Sequence, residues 1–360
     1  MKKLLLIMSG TVIALTACNS GSSSNNSSTN VSYMTLPGYS RAESGSSTIV
    51  TGIRGITNST SVYISGLYKT AAGVTNGAIY AGPINESGGT WYILNYPSNL
   101  AGESVTGTAW YGPNNGESVG TISVVGNYTV ESNNFAQGIL YSGPLGGGGT
   151  WTKLLPPSPD HTSVKETIAH SNMGGIVVGN YDTHLATGKA FIYNIQTESY
   201  TNLILPVEPR PISVTAYGVW ANDDGSYTLV GGYKNESQGL SNGYILDWNK
   251  TTGAITNFTT LYFNNQPATS VLSHVEGITS DGNGGYNLSA DTETSSGTQG
   301  GALVNVPRNS TGGFGTPVWT TIAYPGASTT SANTVYQNNI LGVYIPSGSS
   351  QVYSYLATVN

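Results

Sequence analysis

Two of the four histidines stand in segments of one form, SVKETIAH at 163–170 and SVLSHVEGI at 270–278. Each segment also carries a carboxylate, Glu166 in the first and Glu276 in the second. Imidazole nitrogens and carboxylate oxygens brought together from two such segments could hold a divalent cation or move a proton. The competing reading is that His170, His274 and the two carboxylates are simply hydrated along a water-filled passage. Segments of the same form, with the equivalent stretches before residue 60 and after residue 330, add Arg54, Lys165, Tyr217, Trp220, Trp110 and Tyr336 as polar or aromatic candidates. No catalytic residue, metal site or cofactor is assigned on this basis.

These segments recur because the chain repeats. The pattern Gly-x-Tyr occurs at Gly66–Tyr68, Gly126–Tyr128, Gly179–Tyr181, Gly231–Tyr233 and Gly342–Tyr344, with Ser289–Asp291 as a degenerate sixth copy. The spacings are 60, 53, 52, 58 and 53 residues, the range in which each unit is one supersecondary motif. Every unit reads as four short strands rich in β-branched and aromatic residues, punctuated by Gly, Asn and Ser. The first is the segment described above, the second ends in Gly-x-Tyr, and the third is a run such as AIYAGP or GILYSGP. The fourth pairs an aromatic with an aliphatic residue three positions on, as in Trp91/Leu94, Trp151/Leu154 and Trp319/Ile322. These aromatics are expected to be core.

The last unit supplies three strands and then stops, while Tyr33 and Leu36 near the start fit the missing fourth. A strand moved from the last unit to the chain's beginning makes sense in a closed ring, which leaves no open sheet edge. The expectation is therefore all-β: a six-bladed β-propeller with four strands per blade and a 1+3 closure by the N-terminal strand. The repeats of residues 31–360 are also similar in style to the extracellular HAF-type repeat proteins of bacteria, which bears on architecture alone.

Only 8% of residues are charged, against about 25% in ordinary soluble domains. The formal net charge is −6 and no basic stripe is present, so nucleic acid is not an expected partner. No Gly-x-Ser-x-Gly, phosphate-binding loop or dinucleotide fingerprint occurs. The stretches ESGGTW (86–91) and GGGGTW (146–151) faintly resemble the Asp-box of sialidases, with Glu86 or glycine in place of the aspartate. Sialidases also need three arginines around one carboxylate, and Arg41, Arg54, Arg210 and Arg308 do not fall on equivalent strands.

The chain opens MKKLLLIMSGTVIALTAC, a basic start, an apolar stretch and small residues before Cys18, the single cysteine. That is a secretory signal in form. Its ending, Leu15-Thr16-Ala17-Cys18, resembles the lipobox of bacterial lipoproteins. The resemblance implies cleavage before Cys18 and acylation there, with multiple acyl chains giving a stable anchor. Asn19 in place of aspartate favours the outer membrane in that family. The expected organisation is a signal peptide over 1–17, a flexible Ser/Asn-rich tether over 18–30 and a propeller domain over 31–360, a monomer held to the membrane by lipid.

Loops between second and third strands carry eight charged residues in 51 positions, twice the chain's density. Binding residues commonly sit on loops held by a rigid scaffold, which makes Asp182, His184, Glu236, Asp291 and Glu293 rim candidates. The functional expectation is a non-enzymatic binding module for protein or glycan ligands. The alternative is a propeller enzyme, a hydrolase, lyase or quinoprotein-like protein, with its site in the central channel.

Overall fold

In the computed structural model, the described residues are 30–39, 45–158, 162–185, 188–235, 241–267, 272–293 and 299–360. Residues 1–29, on which the expected signal peptide, Cys18 and nearly all of the expected tether fall, and Glu236 lie outside them. Strand β1 (Val31–Thr35) comes first, followed by β2 (Ser47–Gly55), β3 (Val62–Lys69), β4 (Thr75–Gly82) and β5 (Thr90–Ile93). Next are β6 (Val105–Asn115), β7 (Thr121–Val130), β8 (Asn133–Pro144) and β9 (Thr150–Leu154). Strands β10 (Val164–Met173), β11 (Ile176–Thr183), β12 (Lys189–Asn194) and β13 (Ser199–Asn202) make the third group. The fourth is β14 (Ser213–Ala221), β15 (Tyr227–Lys234), β16 (Asn242–Trp248) and β17 (Ile255–Leu261). The fifth is β18 (Leu272–Ser280), β19 (Tyr286–Glu293), β20 (Gln299–Val306) and β21 (Val318–Ile322). The chain ends in β22 (Ala327–Tyr336), β23 (Asn339–Pro346) and β24 (Tyr353–Val359).

Within each group the strands pair antiparallel in chain order, and a single parallel pair, Thr75 with Gly107, joins the first group to the second. Strand β1 pairs with β24, Tyr33 opposite Ala357, and so takes the fourth place beside β22–β24. Its side chains behave as fourth-strand residues do elsewhere. The signature tyrosines bond to their own fourth strand in the third and fourth groups, Tyr181 donating to Asn202 and Tyr233 pairing with Thr260. Tyr344 makes the matching bond, 2.9 Å, to Thr35 of β1.

Apolar side chains collect between the groups. Among the described residues there are six buried clusters, each built from two groups that are neighbours. One contains Leu36, Leu341 and Leu356 with Val50 and Ile64, so the last group packs on the first. The first strands touch in the order β2, β6, β10, β14, β18, β22, and β22 touches β2. The protein is all-β and of propeller type. Trp91, Trp151 and Trp319 pack partly buried against these clusters, as their fourth-strand slots predict. Trp110 differs from its expected channel position. It is wholly buried and donates from Nε1 to Leu94 O at 2.8 Å.

A register shift recurs in every first strand: Val50/Gly52, Trp110/Gly112, Ala169/Ser171, Ala216/Gly218, Val275/Gly277 and Ser331/Thr334. A bulge of this kind adds a residue and re-aims a side chain. It also explains the glycine of the repeat signature. Beside the bulge a backbone carbonyl leans toward the second strand, and a Cβ at Gly126 would lie 2.0 Å from Ala109 O. Gly66, Gly179, Gly231 and Gly342 meet the same obstacle within 2.3 Å. By register the sixth copy is Ala290-Asp291-Thr292, because Ala290 pairs Val275, and not Ser289–Asp291.

Candidate functional site

The six extra residues are Thr51, Tyr111, His170, Tyr217, Glu276 and Asn333, one from each first strand. All six line one cavity of about 270 Å³. Two of them are occupied by the scaffold. Asn333 donates to Val50 O at 2.6 Å, and Thr51 donates to Trp110 O, so both stitch one first strand to the next. Tyr111, His170, Tyr217 and Glu276 form the other side of the cavity.

There the rings stand in a row. Tyr111 meets His170 edge-on with centroids 5.1 Å apart, and His170 meets Tyr217 at 4.1 Å. Tyr217 stacks on His274 at 4.7 Å and 21°. His274 sits two residues before the bulge and its Nε2 contacts Glu276 Oε1. Beyond them stands Asp291, whose carboxylate accepts from Ser331 Oγ at 2.8 Å and Ala332 N at 2.7 Å. One ligating atom from each of His274, Glu276 and Asp291 fits within a 4.8 Å span.

Burial shapes the protonation of this wall. It pushes the Tyr111 phenol up to about 12, with the Glu276 charge adding and a hydrogen bond from Asn127 opposing. It drives Tyr217 well above the ordinary range, again helped by Glu276. His170 is driven down to about 3, chiefly by burial, and its Nε2 has no hydrogen-bond partner among the described residues. Asp291 is raised to about 6 by burial first and by the Glu276 charge second, against the His274 charge and its own two hydrogen bonds.

Of the predicted channel residues, His170, Tyr217, His274 and Glu276 line this cavity. His170 and His274 are not neighbours, because the Tyr217 ring lies between them. Arg54 and Trp220 lie three residues beyond the bulge, about 10 Å further along the strand. There the Arg54 guanidinium carbon stands 5.2 Å from the Trp220 ring centroid across the channel, and burial lowers its pKa to about 10 despite the Tyr336 oxygen nearby. Glu166 is absent from this lining and shares a separate groove with His184. Its pKa is raised by burial and by the Asp182 charge.

The rim expectations fare differently. Asp182 is buried and accepts from Gly188 N at 2.7 Å, so its carboxylate is engaged within the fold instead of facing solvent. His184 is exposed, and Glu293 is half-buried at the end of β19. Asp291 is the main difference, since it stands in the channel cavity and not on the rim. The shift of one residue in the degenerate repeat hid this. Correctly aligned, Asp291 occupies the place of Asn127 and Asn180, which act on Tyr111 and His170.

No known family model matches the chain, and no curated protein matches it in sequence. Solved structures do. A protein of unknown function from Dyadobacter fermentans superposes with a TM-score of 0.56 at 12% identity, over 92% of this chain and 99% of that one. A sialidase of Trypanosoma rangeli, solved as a covalent intermediate with 2,3-difluorosialic acid, gives 0.54 at 9% identity. That match covers 91% of this chain and 58% of the sialidase. A family 43 glycoside hydrolase from Bacillus licheniformis gives 0.40 at 11% identity, over 86% and 64% of the two chains. For the first two, at these identities, the likeness shows a shared fold and nothing more. Among the described residues the arginines do not converge: Arg54 is in the channel, Arg308 is paired with Asp247, and Arg210 lines a groove beside Leu203 and Leu205.

Proposed function

We propose that this chain is an extracytoplasmic hydrolase or lyase that works on a glycan at the cavity of His274, Glu276 and Asp291, on a six-bladed propeller closed by β1. The observation that carries the reading is the convergence of one imidazole and two carboxylates within 4.8 Å at a cavity walled by stacked rings. Catalytic constellations have this form: charged groups close together, in a concave site, beside surfaces that orient a ligand. A sugar suits the rest of the lining, where Ser213, Ser241 and Gln299 add neutral hydrogen-bonding groups. The six clusters between neighbouring groups and the β1–β24 pairing support the closed six-blade ring. Propeller-type glycoside hydrolases among similar structures are an analogy of fold and add context only.

The lipobox-like start supports display at the outer membrane through acylated Cys18. Cys18→Ala is then expected to yield a soluble or signal-retaining protein, and radiolabelled palmitate in that variant would count against the anchor. For the activity, the chain purified from its lipid anchor is incubated with a panel of envelope and host glycans, and released sugars are separated by chromatography. Product release that falls at least 100-fold in Glu276→Gln and Asp291→Asn, with unchanged melting, supports the proposal. Glycan that is bound but never cleaved would make the chain a binding module and end the enzymatic reading.

A further inference from the structure

We propose that His274, Glu276 and Asp291 form a site for a divalent cation, a transition-series ion such as Zn²⁺ or Mn²⁺. The three side chains come from two strands of one group, His274 and Glu276 from β18 and Asp291 from β19, and Asp291 pairs with His274 in the ladder. The ladder therefore sets the spacing of the donors before any ion arrives. A single ion about 2.0–2.2 Å from each donor atom requires donors roughly 3–4 Å apart, and all three fit within 4.8 Å.

The surroundings fit a held site. Stacking on Tyr217 fixes the plane of the His274 ring. Ser331 and Ala332 each donate to one oxygen of Asp291, which orients the carboxylate. Outer bonds of this kind are what position ligating groups in metal sites. Two carboxylates bring negative charge to a cavity whose described lining has no lysine or arginine. The donor set selects the class of ion. A nitrogen donor beside two carboxylates suits zinc, manganese or ferrous iron, whereas calcium and magnesium prefer all-oxygen cages and cuprous ions prefer sulfur. Three protein ligands leave positions open toward the cavity for water or a substrate oxygen, the arrangement of catalytic ions.

The inference shares its place with the proposed reaction and does not need that reaction to occur. Tag-free protein, stripped with a chelator and dialysed, is titrated calorimetrically with Mn²⁺ and with Zn²⁺, and Mn²⁺ binding is followed in parallel by electron paramagnetic resonance. The expected result is one ion per chain, a higher melting temperature with the ion, and at least a 100-fold loss of affinity in the Glu276→Gln/Asp291→Asn double variant. His274→Asn should lower the affinity too and shift the preference away from zinc. Melting of the stripped variants checks that they remain folded. Folded wild-type protein that binds neither ion up to millimolar concentration would overturn the inference, as would binding that the double variant retains. Glycan cleavage by stripped protein would leave the reaction standing without the ion, and ion binding without cleavage would do the reverse.

Discussion

Strand β1 is one short segment separated from its partners by almost the whole chain, and removing its anchor should loosen the entire molecule. Leu36 is 4% exposed and packs with Val50, Ile64, Leu341 and Leu356, so it bridges the last group and the first. Leu36→Ala should cost about 2–5 kcal/mol, the range for truncating a buried leucine. Met34, two residues earlier, is 45% exposed, and Met34→Ala should stay within about 0.5 kcal/mol. At about 2 °C per kcal/mol for a chain of this size, the first variant melts about 4–10 °C lower and the second is unchanged. Deleting residues 31–38 goes further. It removes the five β1–β24 pairs and the Tyr33 ring, whose hydroxyl accepts from Ala323 N, and it bares β24 as an open edge. Against a total stability of about 5–15 kcal/mol, that protein should melt far lower or aggregate. Differential scanning calorimetry of the three variants decides the matter. Equal melting of Leu36→Ala and Met34→Ala, or a deletion that melts like the parent, would refute the placement of β1 and with it the closed ring.

Three other outcomes are expected. His170 is held neutral in the folded state, its pKa driven to about 3 among Tyr111, Tyr217, Asn180 and the His274 charge, against 6.5 in an unfolded chain. Its contribution is therefore complete above pH 6.5 and is lost as pH falls toward 3, at up to about 1.4 kcal/mol per pH unit. Urea midpoints measured from pH 7 to 4 should fall less steeply in His170→Gln, and parallel slopes would contradict this. Arg308 donates to both oxygens of Asp247, at 2.6 and 2.7 Å, and to Tyr286 Oη at 2.9 Å, tying the fourth group to the fifth. Arg308→Met strands the buried Asp247 and should cost about 3–5 kcal/mol in chemical denaturation, with partial recovery in the Arg308→Met/Asp247→Leu double variant. Gly126→Ala drives a Cβ into Ala109 O and should cost about 1–3 kcal/mol, whereas Gly120→Ala, at a turn with open space but φ of 81°, tests backbone strain alone.

Much of the architecture was legible in the sequence because repetition multiplies weak signals. A single Gly-x-Tyr means little, but four at spacings of 52 to 60 residues and a fifth two units further on locate a second strand each time, and the burial of Tyr68, Tyr128, Tyr181, Tyr233 and Tyr344 is the physical reason. The orphaned Tyr33–Leu36 segment was legible for the same cause, since a fourth-strand pattern with no unit of its own needs a partner elsewhere. The site was legible only in part. Alternation along β10 or β18 says which residues share a face, but a bulge breaks that alternation and is set by pairing with the neighbouring strand. Thus Trp110 reads as a channel residue although it is buried, and its neighbour Tyr111 reaches the cavity in its place. Asp291 was hidden in the same way. In the chain it belongs to a polar stretch at the end of a strand, and only the pairing of Ala290 with Val275 carries it inward to His274 and Glu276. Residue types and repeats determined that strands would form and pack face to face. Which side chains meet at the centre was decided by register, a property of strand pairs and not of any segment alone.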